Sequence, residues 1–426
     1  MIFILFILAF FLLVLGLYNF KTYINPVSIY LIGYVLALFF CLVYYKEWDM
    51  NHFHSNTFAL LGFSFVTYFC VCFIMNKIMR KNNRKKNVRE VLISKQKLQF
   101  SFILLFLIFL LLYKYKMNIT GASNISQAVY ILDQMKIENT SYQLPFVLRQ
   151  LEFLTYAISF YFSFIYVHLF VFDGNRSTKN WVSLIVVLGF IGTLLSGSRG
   201  SSFSYLFFMV IIYGILKYKK EKNKISLNFK RLILSFLGLF VILFAFIHIA
   251  SLLGRDYSGF DSSTYILGVY CGAEIKNLDD FLNILKTDGS LGWGKYTFPQ
   301  FFPNESKWNL LSFNYCGDFF LGNVYTQFQS YIQDFGFEGA IVLIIIMAMI
   351  FYYFYEKSLY SSCLENHYFD MNIFIYGYLG QGALLCFFSD RFYSIFNTGP
   401  LKLLFFLWII SRYFERNSPK SLIKIK

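Results

Sequence analysis

Arginine is the residue type that says most about possible chemistry in this chain of 426 residues. Four arginines are predicted at the ends of hydrophobic spans, on the side opposite the most basic segments: Arg149, Arg199, Arg255 and Arg391. A permanent charge at the edge of a bilayer calls for a partner such as a carboxylate, a lipid phosphate or a diphosphate. Four such ends could line one anion-binding cavity, although each side chain could also simply reach the headgroup phosphates.

Arg199 lies in the segment SGSRGSS at 196–202, between two apolar runs. Small residues such as Ser198 and Gly200 let an anion approach the backbone N–H groups at the start of the next helix. The segment therefore predicts an anion-binding turn, with a tight interhelical turn as the plainer alternative, since Gly and Ser are ordinary turn residues.

The other three arginines have acidic residues close by in the sequence. Arg255 and Arg391 each have an aspartate as a direct neighbour. Adjacent residues do not face each other along a helix, so we expect one group of each pair to point into the cavity. Arg149 has Glu152 three residues later and could form an intrahelical ion pair instead.

A general base is expected in the long polar segment 251–335. Asp318 follows a glycine, and Asp334 lies in QDFG at 333–336, where the chain re-enters the membrane. Burial and nearby arginines would set the pKa of such a base. A helix N-cap is the alternative for Asp334. The carboxylates considered are Asp256, Asp261, Glu274, Asp279, Asp280, Asp318 and Asp334.

Metal and thiol chemistry have weaker signals. Residue types that bind metals lie close together in the loop 46–56, namely Glu47, Asp49, His52 and His54, but this pattern is more typical of a surface loop. The seven cysteines show no zinc spacing. Only Cys271 and Cys316 share the segment 251–335, where an oxidising compartment would allow a disulfide. No P-loop, dinucleotide fingerprint or nucleophile elbow occurs, so nucleotide chemistry has no support.

Composition indicates the elements that must position these residues. The chain is 57% hydrophobic and 22% aromatic but only 14% charged, which predicts an all-α polytopic membrane protein and excludes disorder. About eleven spans (10–12) are expected, with boundaries uncertain by several residues. They lie near 2–19, 27–45, 57–76, 98–113, 146–171, 181–195, 201–216, 232–250, 336–356, 369–389 and 399–412.

The net charge of +15 is concentrated in the linkers 77–97 and 217–231, which the positive-inside rule places in the cytoplasm. Neither linker interleaves aromatics as a nucleic-acid-binding segment would. The first span lacks a basic leader and a cleavage site, so we expect it to be retained, with the N-terminus outside. Because successive loops alternate between the two sides of the membrane, 251–335 is expected to be a large extracytoplasmic loop. It separates an N-terminal membrane region (1–250) from a C-terminal one (336–426). A re-entrant piece near 190–200 or inside 251–335 would change the count.

The aromatic content of 251–335 argues against disorder, so we expect a small folded cap with short helices. At this point the chain resembles the Wzy-type oligosaccharide repeat-unit polymerases of bacterial O-antigen and capsule synthesis. The resemblance lies in LLSGSRGSSFSYL at 194–206, the basic linker, one further span, the large loop and YIQDFGFEGA at 331–340 before the last spans.

The resemblance implies a GT-C-like inner-membrane glycosyltransferase with its active site facing the periplasm. It would polymerise repeat units linked to undecaprenyl diphosphate, without cofactor or metal, with membrane lipid and a chain-length regulator protein as partners and without nucleic acid. The residues proposed as catalytic are Arg199, Arg255, Arg391, Asp318 and Asp334. Those proposed to bind substrate are Ser198, Gly200, Arg149, Trp293 and Lys295.

Four other functions stay open. A scaffold role in glycan export would tolerate neutralising Arg199, Arg255 and Arg391. A flippase for lipid-linked oligosaccharide is disfavoured because no transporter-type repeat occurs. An O-antigen ligase shares the architecture, but such ligases typically depend on a histidine in the large loop, and 251–335 has none. A metal-dependent transferase using polyprenyl-monophosphate sugar predicts that Glu47 or Asp49 is essential and Arg199 dispensable.

Overall fold

The computed structural model describes residues 1–20, 22–79, 93–137, 144–194, 199–221, 263–284, 291–302, 313–360 and 369–415. Nearly all of this part of the chain is helical. The helices are α1 (Ile2–Asn19), α2 (Pro26–Val43), α3 (Ser55–Met79), α4 (Lys95–Thr120), α5 (Ile125–Ile137), α6 (Phe146–Val171), α7 (Arg176–Leu194), α8 (Arg199–Lys220), α9 (Ser263–Cys271), α10 (Ala273–Ile284), α11 (Gln327–Tyr360), α12 (Met371–Leu384) and α13 (Thr398–Glu415). A hairpin of β1 (Asn314–Cys316) and β2 (Phe319–Gly322) precedes α11.

Eight helices within the described ranges are long and apolar enough to cross a membrane: α1 to α4, α6 to α8, and α11. The chain is thus a multi-pass, all-α membrane protein. The predicted spans at 369–389 and 399–412 coincide with α12, which is apolar but shorter, and with α13, which carries three charged residues. The predicted span 232–250 lies outside the described residues.

The helix ends follow local capping chemistry. Asn25 caps α2 by accepting the backbone N–H of Ser28 at 2.9 Å, and Pro26 occupies the first helical position, where its missing N–H costs nothing. Asp370 caps α12 in the same way, accepting from the backbone N–H groups of Asn372 and Ile373. These side chains satisfy donors that the first turn of a helix leaves without partners.

Two lysine contacts bring the ends of several helices together. Lys97, at the start of α4, donates to the carbonyl of Tyr413 near the end of α13 at 2.8 Å. Lys220, at the end of α8, pairs with Asp173 in the α6–α7 connection at 2.6 Å. Both contacts border the lysine- and arginine-rich segments 77–97 and 217–231, so we call this side of the molecule the basic end. The opposite side is the cap end.

At the cap end, α9 and α10 pack on α2, α10 also contacts α3, and the hairpin packs on α9 and α10. The buried carboxylate of Asp279 accepts the Thr57 hydroxyl at 2.6 Å and the backbone N–H of His54 at 3.0 Å, which ties α10 to the start of α3. Asn277 donates to the carbonyl of Leu321 at 3.1 Å, which ties α10 to the hairpin. The described part of 251–335 therefore contains short helices that pack on the spanning helices and a hairpin that packs on those short helices.

α11 consists of two helices that meet at Gly336, whose φ of 69° and ψ of −173° lie outside the helical region. Tyr331 and Leu343 would be about 18 Å apart in a straight helix. Both contact Tyr393, however, through rings 5.6 Å apart and through its hydroxyl, which donates to the Leu343 carbonyl at 2.6 Å. α11 therefore bends sharply into α11a (327–335) and α11b (337–360).

α11a does not cross the layer of spanning helices. Its first residue, Gln327, donates to the Tyr30 hydroxyl at 2.8 Å, and the Tyr30 ring stacks on Tyr68, which lies midway along α3. Its last turn contacts the cap segment 291–302. α11b runs back to the basic end, where Tyr355 bonds to Thr22 just before α2. α11a is thus a half-helix inserted from the cap end.

α12 also ends midway. Tyr34, at the centre of α2, donates to the carbonyl of Cys386 at 3.2 Å, just past the end of α12. At Gly33 an added Cβ would lie 2.5 Å from the carbonyl of Leu384. The segment 388–397, which joins α12 to α13 and contains only one short 3₁₀ turn (Tyr393–Ile395), therefore starts near half depth. Irregular backbone at that depth is tolerated only where protein buries it or where it lines a water-filled cavity.

Candidate functional site

Arg391 lies in the segment 388–397, against the last turn of α12. An added Cβ at Gly382 would lie 2.7 Å from the Arg391 carbonyl oxygen, so the two backbones touch. The Arg391 side chain is exposed. Its backbone touches the last turn of α12, which ends near half depth. The structure therefore places an accessible residue with a permanent positive charge at that depth.

The acidic neighbour of Arg391 is held by hydrogen bonds. Asp390 is buried, and its Oδ1 accepts the Tyr331 hydroxyl at 3.2 Å and the backbone N–H of Tyr393 at 3.1 Å. The Tyr331 hydroxyl also lies 3.2 Å from the Gln327 side-chain oxygen, and Gln327 reaches Tyr30. A continuous polar chain therefore runs from α2 through α11a to the residue beside Arg391.

Asp334 anchors the segment 291–302 to the end of α11a. Its fully buried carboxylate accepts the backbone N–H of Thr297 at 2.6 Å and of Tyr296 at 3.0 Å. The backbone N–H groups of Gly292 and Trp293 donate to the carbonyls of Gln333 and Asp334. Two of these donors occupy the carboxylate and the other two hold the adjacent carbonyls, so the geometry describes an anchor more directly than the general base that the sequence suggested.

Trp293 has an unusual backbone and an exposed ring. Its φ is 50°, in the left-handed region that non-glycine residues rarely adopt, and its side chain is 73% exposed. Because the ring is exposed, its burial does little to offset the free-energy cost of this backbone conformation. Backbone strain of this kind clusters at functional sites. Lys295 in the same turn and Phe301, 70% exposed, also face outward.

The segment 291–302 lies over the segment that carries Arg391. The ring of Phe298 is 5.6 Å from that of Tyr393, and Gln300 donates to the carbonyl of Phe396 at 2.8 Å. The structure thus places three of the predicted site residues, Arg391, Asp334 and Trp293, on segments that contact one another. Lys295 belongs to the same turn.

Two predicted residues lie elsewhere. Asp318 is exposed at the tip of the β1–β2 hairpin. Arg149 is exposed in the first turn of α6 and donates to the carbonyl of Leu144 at 3.2 Å. The intrahelical pair considered for Arg149 does not form, because Glu152 pairs with Lys116 of α4 at 3.3 Å.

The SGSRG turn is described only in part. Arg199 and Gly200 form the start of α8, and Ser198 and Arg255 lie outside the described residues. The hydroxyls of Thr193 and Ser202 are 3.0 Å apart, so the end of α7 and the start of α8 are close neighbours. The catalytic roles expected for Arg199 and Arg255 therefore remain predictions.

The structure shows neither a metal site in the described loop 46–56 nor the disulfide considered for Cys271 and Cys316. His54 bonds to Asp279 at 3.0 Å, whereas His52 lies 3.7 Å from Asp49 at the surface. Among the residues that the structure describes, no three His, Cys, Asp or Glu side chains cluster as metal ligands would. Cys271 and Cys316 are both free thiols, so the disulfide considered for them is absent here.

The polar chain of Tyr30, Gln327, Tyr331 and Asp390 was not predicted. A weak signal existed, because 325–334 (YTQFQSYIQD) is rich in polar and tyrosine residues immediately before an apolar run. Compared with known protein families, curated proteins and solved structures, the chain shows no match.

Proposed function

We propose that this protein is a membrane glycosyltransferase that joins lipid-linked oligosaccharide repeat units into a longer surface glycan. The observation that carries the proposal is Arg391, whose side chain is accessible and whose backbone touches α12 where that helix ends near half depth. A guanidinium binds phosphate oxygens in a bidentate manner. A diphosphate attached to a lipid would bring such an anion to this depth, with its hydrocarbon tail beside the spanning helices.

The chemistry requires charge stabilisation more than a cofactor. The bond between the reducing-end sugar of the donor glycan and the lipid diphosphate breaks, and its electron pair stays on the diphosphate. The acceptor hydroxyl forms the new glycosidic bond, and its proton passes to water. A preorganised cation at the leaving diphosphate lowers the barrier to this step. In this proposal Arg391 supplies that charge, with Arg199 and Arg255 as further members of the clamp.

The turn 291–302 supports the sugar-binding part of the proposal. Its exposed Trp293 offers an aromatic face on which a sugar ring could stack, and the turn lies over the Arg391 segment. Under the positive-inside rule the basic end faces the cytoplasm, so the cap end would face outward, where lipid-linked glycans are polymerised. The resemblance of LLSGSRGSSFSYL and YIQDFGFEGA to Wzy-type polymerases points the same way.

The test is the surface-glycan ladder of a strain that lacks this protein, compared with strains complemented by the wild type or by Arg391→Ala. Collapse from a ladder to core plus one repeat, in the deletion strain and in the variant at normal protein level, supports a polymerase. If no repeat reaches the surface, the protein is a flippase. If full-length polymer accumulates on carrier lipid, it is a ligase, and both outcomes overturn the proposal.

A further inference from the structure

Glu274 is a buried carboxyl group with no bonding partner on another described residue. It lies in the first turn of α10, its side chain is fully buried, and neither oxygen bonds to another residue in the part of the chain that the structure describes. Its neighbours on the same helix differ. Asp279 accepts from Thr57 and His54, and Asp280 pairs with Lys276 at 2.9 Å. A buried ionised carboxylate without a partner is very costly, and such groups bind a proton instead.

Thiols and uncharged groups surround Glu274. Cys41 faces it from α2 and donates to the carbonyl of Gly272 at 3.3 Å, and Cys271 faces it from α9. At the start of α3, Thr57 and the titratable His54 both bond to Asp279 of α10, and β2 contains no titratable residue. On α10 itself, Lys276, Asp279 and Asp280 already have partners. Among the described residues no cation bonds to the Glu274 carboxyl, and burial raises the pKa of Glu274 well above its ordinary value.

The junction that buries Glu274 is closely packed. An added Cβ at Gly272 would lie 2.6 Å from Cβ of Phe40 and 3.0 Å from the carbonyl of Ala37, both on α2. Cys41 and Cys271 are buried in the same contact. The Glu274 carboxyl is therefore out of contact with water in this packing.

We propose that Glu274 is a proton-binding site that couples the docking of α10 on α2 to the pH on the cap side of the membrane. The carboxyl group is neutral while α10 is docked. When α10 separates, its O–H bond breaks, the proton passes to water and the carboxylate is hydrated. This inference does not depend on the proposed glycosyltransferase activity.

The sign of the pH effect follows from linkage. A carboxyl whose pKa is higher in the docked state stabilises docking fully at low pH. That contribution is lost as pH rises from the ordinary glutamate pKa of about 4.3 towards the raised value. One proton is released per opening, so the population of the open state rises by up to about tenfold per pH unit in this window.

The buried thiols report the opening directly. We would label the full-length protein in lipid nanodiscs with a thiol reagent, quantify Cys41 and Cys271 by site-resolved mass spectrometry, and compare wild type with Glu274→Gln at each pH. Thiol ionisation affects both proteins equally, so the ratio of their labelling rates isolates docking. The matched control is Glu338→Gln, an exposed carboxyl near the start of α11b.

The expected result is a wild-type to Glu274→Gln rate ratio that rises with pH, by up to about tenfold per unit, while the ratio to Glu338→Gln stays flat. Glu274→Met, which needs no hydrogen-bond partner, should behave like Glu274→Gln and serves if that variant fails to fold. A ratio that does not change between about pH 5 and 9 for either Glu274 variant overturns the proposal.

Discussion

The Tyr331 hydroxyl donates a hydrogen bond to the Asp390 carboxylate across 3.2 Å, and this contact joins the half-helix α11a to the segment that carries Arg391. The ends of α11a are fixed by different neighbours, Tyr30 at half depth and the turn 291–302 at the cap end. The position of Arg391 therefore depends on both.

Tyr331→Phe should weaken glycan polymerisation and lower the free energy of unfolding by about 0.5–1.5 kcal/mol, because it removes one hydrogen bond and keeps the ring. The measurements are the glycan ladder and thermal unfolding of the purified protein. Tyr315→Phe, at an exposed position of β1, is the matched control and should change neither. Equal behaviour of the two variants would show that the bond to Asp390 does not matter.

Arg391→Ala should abolish the ladder at unchanged protein level, since loss of one charge-stabilising donor typically costs about 10²–10³ in rate. Arg391→Lys should restore activity only in part, because an ammonium keeps the charge but not the bidentate geometry. Arg412→Ala, at the basic end of α13, is the control. Full activity of Arg391→Ala would remove the basis of the proposed function.

Gly382→Ala should displace the Arg391 backbone, because the new Cβ would lie 2.7 Å from its carbonyl oxygen. Overpacking of this kind costs about 1–3 kcal/mol, and we expect the ladder to shorten with it. Gly192→Ala in α7 is the control, since its nearest neighbour would be the Thr155 methyl at 3.7 Å. Thermal unfolding and the ladder should therefore separate the two alanine variants.

Asp334→Asn should loosen the turn 291–302. The amide replaces a charge that accepts backbone N–H groups, and bonds to charged groups contribute about 1.5–3 kcal/mol each. Trypsin added at the cap side can cleave after the exposed Lys295, so we expect faster cleavage there, by about tenfold or more. Cleavage at the wild-type rate would contradict the anchoring role, and Glu338→Gln should leave that rate unchanged.

Arg199→Ala and Arg255→Ala test the rest of the clamp. Loss of polymerisation at unchanged protein level in either variant would support a shared anion site, because each guanidinium would contribute charge to the same diphosphate. Full activity in both would rule the clamp out and leave Arg391 to act without them. The ladder of each complemented strain is the measurement.

The sequence predicted where most helices lie, but their lengths and α11a depended on contacts that hydropathy does not report. α3 and α4 extend to Met79 and Thr120, beyond their apolar runs, because helices continue through polar residues while the backbone bonds are satisfied. The sequence did not predict α11a, because a short polar segment beside Gly336 has the residue types of a loop. The possible re-entrant piece within 251–335 was the only hint of it.

The residues of the candidate site were also predicted only in part. Arg391 was identified because a lone arginine at the end of a span is costly and so informative. Its partners Tyr331 and Gln327 were not, since tyrosine and glutamine in aromatic-rich segments give no signal until the fold brings them beside Asp390. Asp334 was identified as notable, but its role as an acceptor for the turn 291–302 rests on backbone contacts across about 40 residues.

The half-helix α11a also constrains the order in which the protein is built. At about 14 Å it is too short to enter a bilayer as an independent span, which needs about 20 apolar residues. Its polar side chains find partners in Tyr30, which is made before α11a, and in Asp390, which is made after it. α11a can therefore settle only once α12 and the segment that carries Asp390 are in place, so a later part of the chain completes the environment of an earlier one.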